Sequence, residues 1–232
     1  MDDLIEFAPL VLSGLWVTVS LSLTSLGLAV LFGFAGVSLK LSKARWLRAL
    51  GTGYTTLIRG IPDLVLMLLF YFGGQIALNQ IGQMTGLWDF VEINQFVAGS
   101  LTIGFIFGAY MTETFRGAYL ALPKGQLDAA RALGLRGILT LRLVVLPQLV
   151  PLALPSFTNN WLVLLKTTAL VSIIGLQDIV YNANQAGRST QQPFIFLFLA
   201  FFVYLGLTFL SQLVLNWLRR RYTQHEGLAH GS

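Results

Sequence analysis

Long apolar segments alternate with shorter polar ones along the whole chain. The apolar segments cover residues 9–39, 59–81, 94–119, 151–176 and 193–218. A helix needs roughly 20 predominantly apolar residues to cross a bilayer, and each segment is long enough. The pattern therefore predicts an all-α membrane protein with five transmembrane helices, organised as a single domain over residues 1–232.

The longest polar interruption, residues 120–147, has the period of an amphipathic helix outside the lipid. Apolar or small side chains recur there at three- or four-residue steps, and charged side chains lie off that stripe. The stripe consists of Leu127, Ala130, Leu133, Ile138, Leu141 and Val145. Gly134 falls in the middle and predicts a break that divides the helix in two. We expect this stretch to offer a surface to a partner in the aqueous phase.

The basic residues follow the alternation of the spans. Of the fifteen Lys and Arg residues, all but Lys166 and Arg188 lie around the first connection, around the 120–147 stretch or directly after the fifth span. Connections rich in Lys and Arg remain in the cytoplasm. The N-terminus is therefore predicted outside and the C-terminus inside the cell. Because orientation accounts for the net charge of +5, we expect no nucleic-acid partner.

Composition and missing motifs narrow the function further. The chain is 55% hydrophobic and only 11% charged, which is unlike a soluble globular domain. It contains no cysteine, and its histidines, His225 and His230, both lie in the terminal tail, so neither a metal site nor a catalytic histidine is expected. The sequence has no phosphate-binding loop and no hydrolase motif. These features predict a chain that is not an enzyme, holds no cofactor and does not bind ATP itself.

Three ionisable residues interrupt the apolar segments, namely Asp63, Glu113 and Lys166. A charge within a span costs roughly 2.5–3.5 kcal/mol on insertion scales, so such groups face a cavity, a bundle interior or a partner. Asp63 follows a proline and marks either a water-accessible site or the start of a helix. Glu113 precedes Arg116 by three residues, the spacing of a helical ion pair.

The fourth segment contains Lys166 together with two asparagines, Asn159 and Asn160. Lys166 requires a carboxylate, a carbonyl or water around its ammonium group. It therefore forms either an ion pair with Glu113 or a site for a bound carboxylate, and the sequence leaves both open. Asn159 and Asn160 would not tolerate lipid, so both are expected to face inward.

With the polar stretch identified, its residues can be compared with a known pattern. Asp128-Ala129-Ala130, Gly134, and Val144-x-Leu146-Pro147 together resemble the EAA loop of bacterial ABC importer permeases. The family pattern has Glu where this chain has Asp128, and Ile where it has Val144. The resemblance implies a type I ABC importer permease fold in which the loop is a coupling helix. Its docking residues on the ATPase subunit would be Asp128, Ala129, Ala130, Leu133 and Gly134.

The resemblance extends over nearly the whole chain and narrows to the polar amino acid permeases. Residues 56–62, 109–118 and 164–172 look like that family's conserved elements, and the sequence after Pro62 is most similar to the Q-type permeases of histidine, lysine, arginine and ornithine uptake systems. The resemblance implies a multi-pass protein of the bacterial inner membrane, in contact with lipid. The implied partners are a second permease, as a heterodimer or else a homodimer, two ATPase subunits that hold ATP and Mg²⁺, and a periplasmic binding protein.

The resemblance and the buried charges together predict import of a cationic amino acid by alternating access. Asp63 and Glu113 would bind the substrate's cationic groups, Lys166 its carboxylate, and Asn159 its remaining polar atoms. Two other functions stay open: an ion-coupled carrier that acts alone, and a structural subunit that recruits an ATPase. An odd number of spans without an internal repeat speaks against the carrier, because such carriers place their site between two halves of one chain.

Overall fold

The computed structural model describes residues 2–227, with side chains except those of Asp2, Lys124 and residues 222–227. All regular structure within this range is helical. Five helical stretches in it are long and apolar enough to cross a membrane, namely Asp3–Lys40, Asp63–Thr85, Gln95–Leu120, Ile138–Ile174 and Pro193–Arg221. The predicted all-α architecture with five spans is therefore confirmed.

Ten α-helices follow one another along the described chain. They are α1 (Asp2–Lys40), α2 (Arg45–Gly60), α3 (Asp63–Leu68), α4 (Gly74–Thr85), α5 (Gln95–Leu120), α6 (Lys124–Ala132), α7 (Ile138–Thr140), α8 (Leu146–Thr167), α9 (Ile179–Thr190) and α10 (Pro193–Gly227). The second span joins α3 to α4 through a π-helical turn, Leu69–Gly73. The fourth joins α7 to α8 through another, Leu141–Val145, and ends in a 3₁₀-helix, Thr168–Ile174.

Side-chain caps and a proline set several of these boundaries. The carboxamide oxygen of Asn94 accepts hydrogen bonds from the backbone N–H groups of Phe96 and Val97, which satisfies two free donors at the start of α5. The carboxylate oxygen of Asp178 accepts from Tyr181 N–H at the start of α9. Pro62 separates α2 from α3, because a proline has no N–H to continue a helix.

Two helices occur where the sequence predicted only polar connections. Residues 45–60 fold as α2, which buries Gly51, Thr55 and Ile58 on one side. Residues 179–190 fold as α9, which likewise buries one face of an otherwise polar segment. Both helices are amphipathic. Their average hydrophobicity is as low as that of a polar connection, so the sequence pattern did not distinguish them from connections. The apolar helical stretch that contains the fourth span also begins at Ile138, about three helical turns before the end of the polar stretch predicted over residues 120–147.

The parallel helices α1 and α5 form the centre of the bundle and pack closely through glycines. A Cβ atom placed on Gly104 of α5 would lie 2.5 Å from the Cβ atom of Leu28, and one on Gly33 of α1 would lie 2.6 Å from that of Met111. Only glycine permits such an approach, as is common between membrane helices. Helix α5 is consequently buried along most of its length.

The helices alternate in direction and give the bundle two distinct ends. At one end, Lys40 of α1 donates to Thr55 of α2, and the basic residues of α2, α6 and the C-terminal part of α10 belong to this side. We call it the basic end. At the other end, Asn182 of α9 donates to the backbone oxygen of Leu10 in α1. We call it the α9 end.

Candidate functional site

Two adjoining cavities lie where α2, α5 and α8 meet. They have volumes of about 470 and 490 Å³ and share Arg59, Tyr110 and Glu113 in their walls. The first is completed by Lys40, Thr55, Thr56 and Gly60, and the second by Thr114, Pro155, Ser156, Asn159 and Asn160. Together they form a polar, partly open chamber between helices, which we call the central chamber.

Glu113 lies between two cations in the wall of this chamber. The ammonium group of Lys40 contacts its Oε1 atom and also donates to the hydroxyl of Thr55 at 2.8 Å. The Nε atom of Arg116 donates to Oε2 at 3.1 Å, which confirms the predicted pair at i,i+3. An ion pair between Glu113 and Lys166 does not occur. The carboxylate of Glu113 is therefore already balanced within this chain.

Arg59 lines both cavities, although the sequence did not identify it as a candidate site residue. Its guanidinium lies 5.1 Å from the centre of the Tyr110 ring, a cation–π contact. No carboxylate of the described residues pairs with it, so its charge is available to a ligand. The sequence placed Arg59 among the basic residues of the first connection and within the family-like element of residues 56–62, but gave it no role in binding. Its position directly before Gly60 and Pro62 at a helix break was a usable signal.

Tyr54 fixes α2 against α5 beside the chamber. Its hydroxyl donates to the backbone oxygen of Phe105 at 2.6 Å. Burial raises the pKa of Tyr54 well above its usual value, so the hydroxyl remains protonated and remains a donor. This contact holds the helix that carries Arg59 and Thr55 at a fixed distance from α5.

The two asparagines of α8 both line the chamber, Asn160 half-buried and Asn159 exposed. Asn160 donates to the hydroxyl of Thr114 at 2.9 Å, which ties α8 to α5. Asn159 lies beside it, in the same wall as Arg59 and Glu113. Of the four residues predicted to bind substrate, the structure thus brings Glu113 and Asn159 together.

Asp63 and Lys166 lie apart from the chamber. Asp63 is the first residue of α3 and is half-buried, the arrangement of the helix-start alternative. Lys166 is exposed near the end of α8, seven residues and therefore about 10 Å along the helix from Asn159. Among the described residues, Lys166 has no carboxylate partner.

The predicted break at Gly134 is present and has a defined geometry. Helix α6 ends at Ala132, and Gly134 takes the left-handed conformation with φ +76°. Its N–H donates to the oxygen of Arg131, and the N–H of Leu135 donates to the oxygen of Ala130, both at 2.9 Å. These two bonds form a Schellman motif, which closes the C-terminus of a helix and reverses the chain.

The side chains of α6 divide into an inner and an outer set. Leu127 packs against the core, and Ala130 is only 2% exposed. Asp128 and Ala129 face outward, and Leu133 is 79% exposed directly after the helix. The sequence placed Leu133 on the apolar stripe of the helix. In the structure it does not lie on the buried face, because α6 ends at the preceding residue.

Residues 15–224 match a protein family described as "Binding-protein-dependent transport system inner membrane component". This chain belongs to that family. Its members are multi-pass permease components of the inner membrane, and the predicted resemblance to ABC importer permeases is confirmed. The five long apolar helices of the structure agree with this assignment.

Individual permeases and structures support the same placement. The chain is 49% identical over 217 residues to the histidine/lysine/arginine/ornithine transport system permease protein HisQ of Salmonella typhimurium, covering 94% of this chain and 95% of HisQ. It is 41% identical over 194 residues to the octopine permease OccQ of Rhizobium radiobacter, covering 84% and 82% of the two chains. A crystal structure of an amino acid ABC transporter with histidines matches at 29% identity with a TM-score of 0.79, covering 94% of this permease and 96% of that chain.

Proposed function

We propose that this permease is the Q-type subunit of an ATP-driven importer that moves basic amino acids, such as arginine, histidine, lysine or ornithine, into the cytoplasm. The observation that carries the proposal is the 49% identity to HisQ over nearly the full length of both chains. The likeness to the octopine permease OccQ extends the class to derivatives of such amino acids.

The distribution of charge supports one orientation in the membrane. The basic end, which holds α2, α6 and the arginines at residues 219–221, would lie in the cytoplasm. The α9 end would then face the periplasm, and the binding protein would deliver its ligand there. The N-terminus is periplasmic and the C-terminus cytoplasmic in this arrangement.

An exposed lysine in the fourth span supports a second permease subunit. Lys166 has no carboxylate partner among the described residues, and lipid contact would cost roughly 2.5–3.5 kcal/mol for its charge. Its side chain therefore faces another permease or a water-filled path, where it can still bind a substrate carboxylate. A pseudo-two-fold heterodimer provides such a surface, and a homodimer would as well.

The outer face of α6 is the proposed contact with the ATPase. Two ATPase subunits, each holding ATP and Mg²⁺, would receive Asp128, Ala129 and Leu133, which are exposed on α6 and just beyond it. The Gly134 turn would carry force from the docked helix to the fourth span. Ala130 is assigned to internal packing, because it is buried against this chain.

The central chamber is the proposed substrate site of this subunit. Arg59 supplies the unpaired cation for the substrate carboxylate, and Asn159 supplies amide groups for the remaining polar atoms. Glu113 can bind a substrate cation only if Lys40 or Arg116 releases one of its oxygens. Asp63, the first residue of α3, lies outside the chamber and would reach a substrate only from there.

The test is uptake by the assembled complex in vesicles with ATP inside. Labelled arginine, histidine, lysine and ornithine should be taken up only with the ATPase and binding protein present, and neutral amino acids should not. Arg59→Gln should raise the KM for each substrate severalfold, because it removes the ligand's countercharge. Arg48→Gln, on the same helix but outside the chamber, should leave KM unchanged.

Two outcomes would overturn the proposal. The first is uptake by the purified single chain driven by an ion gradient, which would make it a carrier. The second is unchanged transport after Asp63, Glu113, Asn159, Lys166 and Arg59 have each been made apolar, which would leave the chain a structural subunit.

A further inference from the structure

A second polar site lies at the α9 end, far along the bundle from the chamber. Asp178, the N-cap of α9, is 0% exposed. Its Oδ1 atom accepts a hydrogen bond from Tyr181 N–H at 2.8 Å. Its Oδ2 atom is equally buried and has no hydrogen-bond partner among the described residues. A buried carboxyl oxygen without a partner requires an explanation.

The groups around Asp178 come from three other elements. Thr18 of α1 and Thr168 of the 3₁₀-helix are both fully buried. Thr18 accepts from the N–H of Ile179 at 3.4 Å, and Thr168 donates to the oxygen of Leu165 at 2.7 Å. Tyr204 of α10 lies close enough to Asp178 to interact with it electrostatically, and its buried hydroxyl lies beside the side chains of Thr168 and Thr18.

No cation of the described residues offsets the carboxyl. Tyr204 is the titratable group that faces it, Thr18 and Thr168 are neutral, and no Lys, Arg or His of that part of the chain pairs with it. The backbone of Asp178 packs closely on α1, since a Cβ atom on Gly14 would lie 2.5 Å from the carbonyl carbon of Asp178. An ionised carboxylate in such a place is costly, whereas a neutral one that donates a hydrogen bond is not.

We propose that Asp178 is a proton-binding site that closes the seam between α1, α9 and α10. In the neutral form its Oδ2–H donates to the hydroxyl of Tyr204, and this bond gives the buried Oδ2 atom its partner. When the site opens to water, the proton leaves Oδ2, and the carboxylate that remains is stable only in a loosened, hydrated seam. The proposal does not depend on the direction of transport or on the substrate.

The direction of the pH effect follows from burial. Burial raises the pKa of Asp178 to about 7, although the backbone N–H groups of Tyr181 and Val180 oppose the shift. An unfolded Asp has a pKa of about 3.9, so the folded chain binds the extra proton between these values. The stabilisation is complete below the unfolded pKa, and it is lost as the pH rises through about 7.

The direct test is an infrared titration of the full chain in lipid nanodiscs. The wild type should show a carboxylic acid C=O band that disappears with a midpoint near neutral pH. Asp178→Asn should lack that band, and Asp89→Asn, which changes an exposed carboxyl, should retain it. Wild-type and Asp178→Asn spectra that titrate identically would overturn the proposal.

Stability gives an independent readout. The unfolding equilibrium constant of the wild type should increase by up to about tenfold per pH unit as the pH rises toward 7. Asp178→Asn keeps the capping oxygen and offers an N–H to Tyr204, so its stability should no longer depend on pH in this range. A pH dependence that persists in Asp178→Asn would contradict the assignment.

Tyr204→Phe tests the partner while leaving the carboxyl in place. In the closed seam the tyrosine hydroxyl accepts a hydrogen bond from the neutral acid, whereas the carboxylate is hydrated, so the bond favours the protonated form. Its removal should therefore move the midpoint of the infrared titration downward. A midpoint that stays or rises would show that Tyr204 is not the partner.

Discussion

Glu113 and Asp128 each form an ion pair with an arginine three residues later, but in different surroundings. The side chains of Glu113 and its second partner Lys40 are 23% and 11% exposed, whereas those of Asp128 and Arg131 are 69% and 74% exposed. Coulomb attraction between exposed groups is weak because water screens it, and it strengthens with burial. The same spacing of three residues therefore gives an ion pair that stabilises the fold more at Glu113 than at Asp128.

We expect Glu113→Gln to destabilise the chain by roughly 1.5–3 kcal/mol, since it weakens charged hydrogen bonds to Lys40 and Arg116. Asp128→Asn, the matched change in the exposed pair, should cost at most about 1 kcal/mol. The measurement is the midpoint of thermal unfolding of the detergent-solubilised chain. Equal shifts in the two variants would show that burial does not strengthen the Glu113 pairs.

The sequence predicted the contacts within one helix of the chamber but not those between helices, because the latter depend on how the helices pack. The pair of Glu113 and Arg116 follows from helical spacing alone. The contact of Glu113 with Lys40 joins residues 73 positions apart, and it depends on how α1 packs on α5. Lys40 is therefore the cation that pairs with Glu113 across helices, and Lys166 is exposed in α8 apart from the chamber.

At the scale of single elements, the turn after α6 depends on one glycine. Gly134→Ala should cost about 1–2 kcal/mol, because an L residue is strained in the left-handed region. If the turn transmits force, ligand-stimulated ATP hydrolysis and uptake by the complex should fall severalfold together. Gly125→Ala, in the first turn of the same helix with open space around it, is the control and should have little effect. Normal uptake by Gly134→Ala would show that the turn at Gly134 does not couple ATP hydrolysis to transport.

The contact between α1 and α5 gives a second prediction at this scale. Gly104→Ala should lower the stability by about 1–3 kcal/mol, because its methyl group would overlap Leu28. Gly117→Ala, on the same helix with no atom within 4 Å, should be neutral or slightly stabilising. Thermal unfolding of both variants in one detergent would compare them. A neutral Gly104→Ala would mean that the two helices are not in close contact.

Helices α2 and α9 are secondary-structure elements that a search for long apolar segments does not find. Apolar segments long enough to span lipid are evident in the sequence, because the bilayer demands continuous hydrophobicity. An amphipathic helix of 12 or 16 residues buries only one face. Its average hydrophobicity is that of a polar connection, and only its 3.6-residue period distinguishes it.

For the molecule as a whole, the proposed orientation can be tested because the chain contains no cysteine. A single cysteine can be introduced at an exposed position of each end as a reporter. The two variants are Gln185→Cys in α9 and Arg136→Cys after α6. In right-side-out membrane vesicles, a membrane-impermeant maleimide should label the first and not the second. Inverted vesicles should reverse the result, and labelling of Arg136→Cys from outside would contradict the orientation.

The close contact between α1 and α5 also determines how the permease can move. Where Gly33 and Gly104 bring backbones together, neither helix can slide or roll past the other without opening a void or a clash. We therefore expect the pair to turn as a single rigid lever. The bending would then be taken up at non-helical joints of the chain, among them Ile61-Pro62 beside the chamber and residues 134–137 at the basic end. Such joints, rather than the longest helices, would set the range of the motion.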